Sequence, residues 1–352
     1  MKTKPNHQLV AAIALLLTCN LQPSALLAQG SLTPPGAPAP TMKTLQQVEP
    51  RVPISSAPFT ITQPGSYYLT TNLTVSGGNA ITIAANGVTL DLNGFTISST
   101  ANPASGTAVL IGSGPRDITI LNGFIRGGVT NNGGVFSGPG FWHGIYYYAS
   151  GAPPQNVRVS GVSVSGCQYN GIYVGNSAIT TVENCVVRTV GGVGIAASII
   201  RGCVALGCGS TAIYGQQVSD SRGQSVGGGY GLSAATTAQN CYGYSGSGGY
   251  GLYAERTAIG CSGSSGSGTG LYAFATAIGC YGVSTSGTGL YAGRTAIGCY
   301  GESSGGPSGL YAQNAAFCTG FRPGGRAIEA TIANGCWAGA GTNLITYKYN
   351  TP

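Results

Sequence analysis

Residues 241–317 read CYGYSGSGGYGLYAERTAIG (241–260), CSGSSGSGTGLYAFATAIG (261–279), CYGVSTSGTGLYAGRTAIG (280–298) and CYGESSGGPSGLYAQNAAF (299–317). One phrase is written four times, in units of 20, 19, 19 and 19 residues. Each unit holds two short apolar runs, Ala-Ile-Gly-Cys and Gly-Leu-Tyr-Ala, separated by Ser/Gly-rich turns. Nothing in a unit is long enough for a helix, and no unit can bury a core alone. Stacked copies share one, and periods of this size mark solenoids.

Outward from this block the wording decays but the columns persist. One column runs Phe95, Phe124, Val162, Cys185, Cys203, Ser221, Cys241, Cys261, Cys280, Cys299, Cys318, Cys336. A second runs Ile145, Ile172, Ile195, Ile213, Leu232, Leu252, Leu271, Leu290, Leu310, Ile328 and is apolar at every level. Side chains alternate across a strand, so the next residue of each strand faces outward: Tyr146, Tyr173, Ala196, Tyr214, Ser233, Tyr253, Tyr272, Tyr291, Tyr311, Glu329. Seven of those ten are tyrosines, which makes the outer column an aromatic stripe. Upstream, Ala80–Ile83 and Val88–Leu92 alternate with period two, as half-buried strands do. The expectation is an all-β chain, a parallel β-helix of about 10–12 coils with 18–23 residues per regular coil. Twelve levels at a rise of about 4.8 Å predict a rod of roughly 50–60 Å. A left-handed hexapeptide helix is the alternative, but six-residue steps from Ile278 fall on Ser284, Leu290 and Ala296 and break its apolar beat.

The flanks divide the chain into three parts. Residues 1–28 have a basic start (Lys2, Lys4), an apolar run from Leu9 to Leu17 and small residues near Ala25 and Ala28, the pattern of a secretory signal peptide. That run is too short to span a bilayer comfortably, so no transmembrane span is expected in the mature chain. Residues 29–58 carry seven prolines and read as a linker or N-terminal arm, and residues 59–350 as the β-helix. The arm and first strands are expected to blunt one end of the rod, and Asn343–Tyr349 the other.

Of 352 residues, 61 are Gly, 42% are hydrophobic and 7% charged, which excludes a disordered polyelectrolyte. The formal charge of +7 falls to +5 without Lys2 and Lys4. Spread over the remaining chain, that is too dilute for a nucleic-acid footprint.

The phrases VTLDLNGFTI (88–97) and ITILNGFIRGG (118–128), the recurring Gly-Ile/Leu-Tyr strands, and the signal followed by a Pro-rich lead resemble secreted bacterial right-handed parallel β-helix proteins of the pectate-lyase-like superfamily. The likeness covers about residues 59–350. It implies the fold and an association with polysaccharide. The acidic, Arg- and His-containing signatures of that fold's lyases and polygalacturonases are not found in this sequence.

The chemistry-bearing residues point the same way. Eleven cysteines occur without a Cys-x2-Cys pair, and both histidines (His7, His143) lie far from the Cys column, so no metal site or cofactor is expected. In-register parallel strands aim their Cβ atoms alike, which disfavours disulfides between neighbouring coils. The cysteines read as buried thiols filling the core, Cys167 and Cys208 included. The carboxylates are scattered at one or fewer per coil, whereas glycoside hydrolysis needs two flanking a bond and calcium several oxygens at one level. No catalytic residue is assigned.

Two features are candidates for binding. The stripe that includes Tyr253, Tyr272, Tyr291 and Tyr311 offers a track on which successive sugars would stack, or else a ladder of rings that stabilise one another. A shorter stripe follows the Cys column as Tyr242, Tyr281, Tyr300 and Trp337. The 38-residue step from Phe124 to Val162 holds an aromatic excursion, residues 127–154, with Phe141, Trp142 and His143, which reads as a ligand loop or a flap over the first coils. The expectation is a secreted or cell-surface structural and binding protein, self-association included among its partners. The second reading is a polysaccharide-active lyase or hydrolase with its site near residues 127–154.

Overall fold

The structure is a computed structural model that describes residues 49–112, 114, 116–147, 153–175 and 179–351. The signal-peptide reading and most of the Pro-rich arm lie outside these residues. Among the described residues the chain forms 33 strands and no helix, so no helix is long and apolar enough to cross a membrane. All but one hairpin join a single parallel network that winds as a β-solenoid of about 14 turns.

Three faces repeat in every coil. On the first, the parallel register runs Phe59, Ile81, Val109, Ile145, Ile172, Ile195, Ile213, Leu232, Leu252, Leu271, Leu290, Leu310, Ile328 and Asn343. From Ile145 to Ile328 this is the apolar column read from the sequence. The structure adds three levels above it and one below, so the coils exceed the expected 10–12. The upper levels escaped because their spacing is irregular: Ile81, Val109 and Ile145 are 28 and 36 residues apart. Fourteen levels at about 4.8 Å make a rod of roughly 60–65 Å.

The third face carries the Cys column, and here one assignment changes. Val162 pairs with Gly123, whereas Phe124 pairs with Thr96 and Ser163. Phe124 therefore points outward, 40% exposed, with the Arg126 guanidinium 5.7 Å from its ring centre. Both Asn93-Gly94-Phe95 and Asn122-Gly123-Phe124 close a strand, but the corners differ in length by two residues. Asn93 and Gly94 are both left-handed (φ 50° and 77°), while in the second corner only Asn122 is (φ 54°).

The ten described cysteines are free and buried. Each ladder thiol donates to the carbonyl two residues back, as Cys241 Sγ does to Gln239 O at 3.1 Å and Cys280 Sγ to Ile278 O at 3.3 Å. Ser221 replaces Cys at its level because its hydroxyl makes the same bond to Ser219 O, at 2.7 Å. Cys167, Val190 and Cys208 head a separate inward ladder that continues as Ser225, Ser245, Ser265, Ser284 and Ser303. Its buried serines staple the corners: Ser284 Oγ donates to Gly268 O at 2.6 Å and accepts from Gly287 N–H at 2.8 Å.

At the ends, Val52–Ile54 already pairs in parallel with Tyr67–Leu69. The last strand, Trp337–Tyr349, brings Asn343 to the apolar column and Lys348 to the end of a second inward column that runs Ala258, Ala277, Ala296, Ala315, Ala333. Polar and charged residues at core positions of the last rung are a device that blunts a sheet edge.

Candidate functional site

Residues 127–147 of the excursion are a folded structure built on the solenoid. After Arg126 the chain forms an antiparallel hairpin, Thr130–Asn132 with Val135–Ser137. Asn131 Oδ1 accepts from Gly134 N–H at 2.7 Å and holds the turn. The backbones of Gly127, Gly140 and Gly166 then cross in contact: a Cβ on Gly127 would collide with the Gly166 carbonyl oxygen. Only glycine permits this crossing, and it seats the hairpin on the next coil. Phe136 closes a small cluster with Ala104 and Val129, and Phe141 is wholly buried in the main core.

His143–Tyr147 is a ladder strand in its own right, pairing with Thr107–Ile111 and Ile172–Tyr173. This strand and the tyrosine column therefore occupy one face of the solenoid. Strand alternation buries Ile145 and Tyr147 and leaves Tyr146 outward.

Around Trp142 the aromatics gather. Trp142 is 47% exposed and Tyr169 50%, their rings 6.3 Å apart and edge-to-face at 64°. His143 stacks on Tyr146 at 4.2 Å and lies 5.7 Å from Tyr169. Tyr169 N–H donates to Trp142 O at 2.8 Å, which fixes one coil to the next. Between them opens a cleft of about 420 Å³ lined by Asn102, Pro103, Ser137, Trp142, Gln168 and Tyr169. The Gln168 amide donates to Phe136 O at 2.6 Å, so the hairpin orients it. Burial lowers the His143 pKa to about 4. Its imidazole is thus neutral across roughly pH 5–8, in keeping with Nδ1 accepting from Asn170 N–H at 3.3 Å.

The tyrosine column differs in kind. Tyr272 stacks on Tyr291 at 4.6 Å and 3°, and Tyr291 on Tyr311 at 4.6 Å and 5°. Tyr253 lies 5.4 Å from Tyr272. Tyr230 and Tyr250, three residues before the column position, slot into the same array at 5.1–5.7 Å. The rings cover one another's faces and present edges and hydroxyls to solvent. A sugar stacks on a ring face, so within the column that mode is closed. Desolvation first, then the neighbouring phenols, raises the Tyr272 pKa, and Tyr291 behaves likewise. In the shorter stripe Tyr281 stacks on Tyr300 at 5.0 Å. The Tyr300 hydroxyl donates to Glu302 at 3.1 Å, and its pKa is raised to about 12, by burial first and then by that carboxylate.

Several carboxylates are individually engaged. Asp91 pairs with Arg51 at 3.3 Å, and Glu329 with Arg326 at 3.1 Å and Ser308 Oγ at 2.7 Å. Glu183 sits beside Arg201 in the register, as the columns required. Among the described residues no group of three or more His, Cys, Asp and Glu side chains is placed to hold a metal ion.

The structure brings Trp142 and His143, both expected in the binding loop, next to Tyr169, and buries Phe141, expected with them, in the core. Tyr169, Gln168, Tyr230 and Tyr250 were not expected from the sequence. Tyr230 and Tyr250 were within reach, because Tyr-Gly-Leu recurs at 230–232 and 250–252 in the frame of His143-Gly144-Ile145.

No family model matches the chain, and no curated protein matches it. Among solved structures it is similar to the A-module of a mannuronan C-5 epimerase from Azotobacter vinelandii, at 14% identity and TM-score 0.38, over 82% of this chain and 88% of that one. It is also similar to the catalytic domain of a GH87 α-1,3-glucanase, at 11% and 0.36, over 85% of this chain and 60% of that one. A third is a GH136 lacto-N-biosidase from Eubacterium ramulus, at 10% and 0.32, over 84% and 58%. At these identities the likeness extends no further than the coiled β architecture, which the strand register already shows.

Proposed function

We propose that this chain is a secreted or cell-surface β-solenoid that binds polysaccharide in the cleft between Trp142 and Tyr169, with no catalytic role for the residues around it. The observation that supports this is the half-exposed indole beside Tyr169, with Asn102, Ser137 and Gln168 on the same cleft. A sugar ring has an apolar C–H face and a hydroxyl rim. An aromatic face with oriented amides and a hydroxyl matches both. The tyrosine column supports the scaffold, and its hydroxyl row lies along the same face. None of the described residues lining the cleft is acidic, whereas hydrolysis of a glycosidic bond calls for two flanking carboxylates.

The test is Trp142→Ala, titrated against a panel of neutral and acidic polysaccharides. The substitution touches no ladder contact within the core. Affinity for the cleft ligand is expected to fall at least about tenfold, or ~1.4 kcal/mol, with the melting temperature unchanged. Unchanged binding beside a lowered melting temperature would show the excursion to be a structural flap.

A further inference from the structure

We infer a second ligand site, at the corner that follows the tyrosine strands, which takes the carboxylate or sulfate groups of an acidic polysaccharide. In three successive coils this corner reads Ala254-Glu255-Arg256-Thr257, Ala273-Phe274-Ala275-Thr276 and Ala292-Gly293-Arg294-Thr295. The register fixes their alignment, since Thr257 pairs with Thr276 and Thr276 with Thr295. Ala275 N–H donates to Arg256 O at 3.1 Å and Arg294 N–H to Ala275 O at 2.9 Å. Arg, Ala, Arg on consecutive rungs sets two guanidinium groups two rises apart along the axis, about 10 Å at the Cα level. Like charges on adjacent rungs would repel. The intervening alanine relieves that and leaves room.

The room is real: Glu255, Arg256, Phe274, Ala275 and Arg294 line a cleft of about 400 Å³. Phe274 is 55% exposed there. Gly293 passes directly beneath it, where a Cβ would strike the Phe274 carbonyl oxygen, so the third coil tucks in and keeps the corner open. Among the described residues, neither the Arg256 nor the Arg294 guanidinium makes an ion pair or side-chain hydrogen bond. Arg51 and Arg326 by contrast pair with Asp91 and Glu329, and Arg322 caps backbone carbonyls.

Two unengaged guanidinium groups flanking an apolar ring match a sugar that carries an oxyanion. The fork binds carboxylate or sulfate oxygens in pairs, and the ring takes the C–H face. Glu255 on the same cleft leaves a net charge of one. That suits a glycan with sparse charge and works against a dense polyanion such as nucleic acid. This site lies five levels below the Trp142 cleft in the register and does not depend on it.

The experiment is calorimetric titration of the full chain with a hexuronate oligomer, a sulfated oligosaccharide and a neutral oligosaccharide of equal length. Inorganic sulfate and a single-stranded oligonucleotide are titrated alongside. At least one acidic glycan is expected to bind with an affinity that falls as salt rises, and the carboxylate and sulfate arms identify which group is held. Arg256→Gln and Arg294→Gln should each weaken it by about tenfold, the pair together more, with melting temperature and neutral-glycan binding unchanged. Trp142→Ala should leave it unaltered, so failure here and failure of the Trp142 cleft are told apart. The inference is overturned if no acidic glycan binds or if the double variant binds as the parent does. It is equally overturned if inorganic sulfate alone matches the glycan, or if the oligonucleotide outcompetes it.

Discussion

If the tyrosine rings act on one another, an inner ring must matter more than an end ring. Tyr272 meets three others, Tyr250 at 5.1 Å, Tyr253 at 5.4 Å and Tyr291 at 4.6 Å. Tyr311 meets one, Tyr291 at 4.6 Å. Replacement by serine copies Ser233, which occupies this column one level above Tyr253. At about 0.2–1 kcal/mol per cross-strand pair, Tyr272→Ser should cost about 0.6–3 kcal/mol and Tyr311→Ser about a third of that. A Tyr272/Tyr291 double-mutant cycle should return a coupling of about 0.5–1.5 kcal/mol, the range for stacked aromatic pairs. The assay is urea unfolding followed by far-ultraviolet circular dichroism, with hydrogen exchange to show whether the loss is confined to nearby coils. Equal costs at positions 272 and 311 would refute mutual stacking. Lost glycan binding at unchanged stability would restore the column as a ligand track.

Two further outcomes follow from the core. Leu271 is fully buried between Leu252 and Leu290, so Leu271→Asp sets an unpaired charge in a dry column and should cost several kcal/mol; a variant that melts like its parent would mean Leu271 is not buried. Burial holds the Cys167 and Cys208 thiols up at about 12, and the Cys280 thiol, then burial, holds Cys299 at about 11. Unfolded thiols ionise near 8.5, so this stabilisation is complete below about pH 8.5 and is lost as pH rises toward 11–12. The urea midpoint should fall between pH 8 and 11, and Cys299→Ser should flatten that fall at little cost near pH 7, because Ser221 makes the same carbonyl bond. A pH-independent midpoint in the parent would contradict it.

Much of the scaffold was legible because the repeat constrains each column independently. An apolar residue at ten successive levels from Ile145 to Ile328, beside seven tyrosines in ten, leaves a single phase for the strand. Phe124 was misread because identical words, Asn-Gly-Phe, close corners of different length. Whether one residue or two turn left-handed there is set by how the corner packs, not by its letters. The cleft was half legible. Trp142 stood out as an aromatic within an irregular coil, but Tyr169 and Gln168 reach it from the next coil, across a glycine crossing that joins residues 127, 140 and 166. Ring orientation was not legible at all: a column of tyrosines in sequence gives the same string whether the rings face solvent or one another.

The distribution of core volume explains why the two aromatic groups differ. In the upper coils large residues fill all three faces, as Ile145 and Tyr147, Val157 and Val159, and Val162 and Val164 do in one coil. Lower down, the third face carries Gly243, Gly263, Gly282, Gly301 and Gly320 in register. A Cβ on Gly282 would collide with the Gly289 carbonyl oxygen, so there the first and third faces approach until only glycine fits. The second face has shrunk to Ala258, Ala277, Ala296 and Ala315. Each methylene removed from the interior forgoes about 0.8 kcal/mol of burial, and these coils lose several. Tyr253, Tyr272, Tyr291 and Tyr311 stack on the outside of these same thin coils, while the buried serines stitch their corners from within. Their stacking adds contact between coils where the core is thinnest. Trp142 and Tyr169 stand on coils with a wider apolar core, and each remains about half exposed.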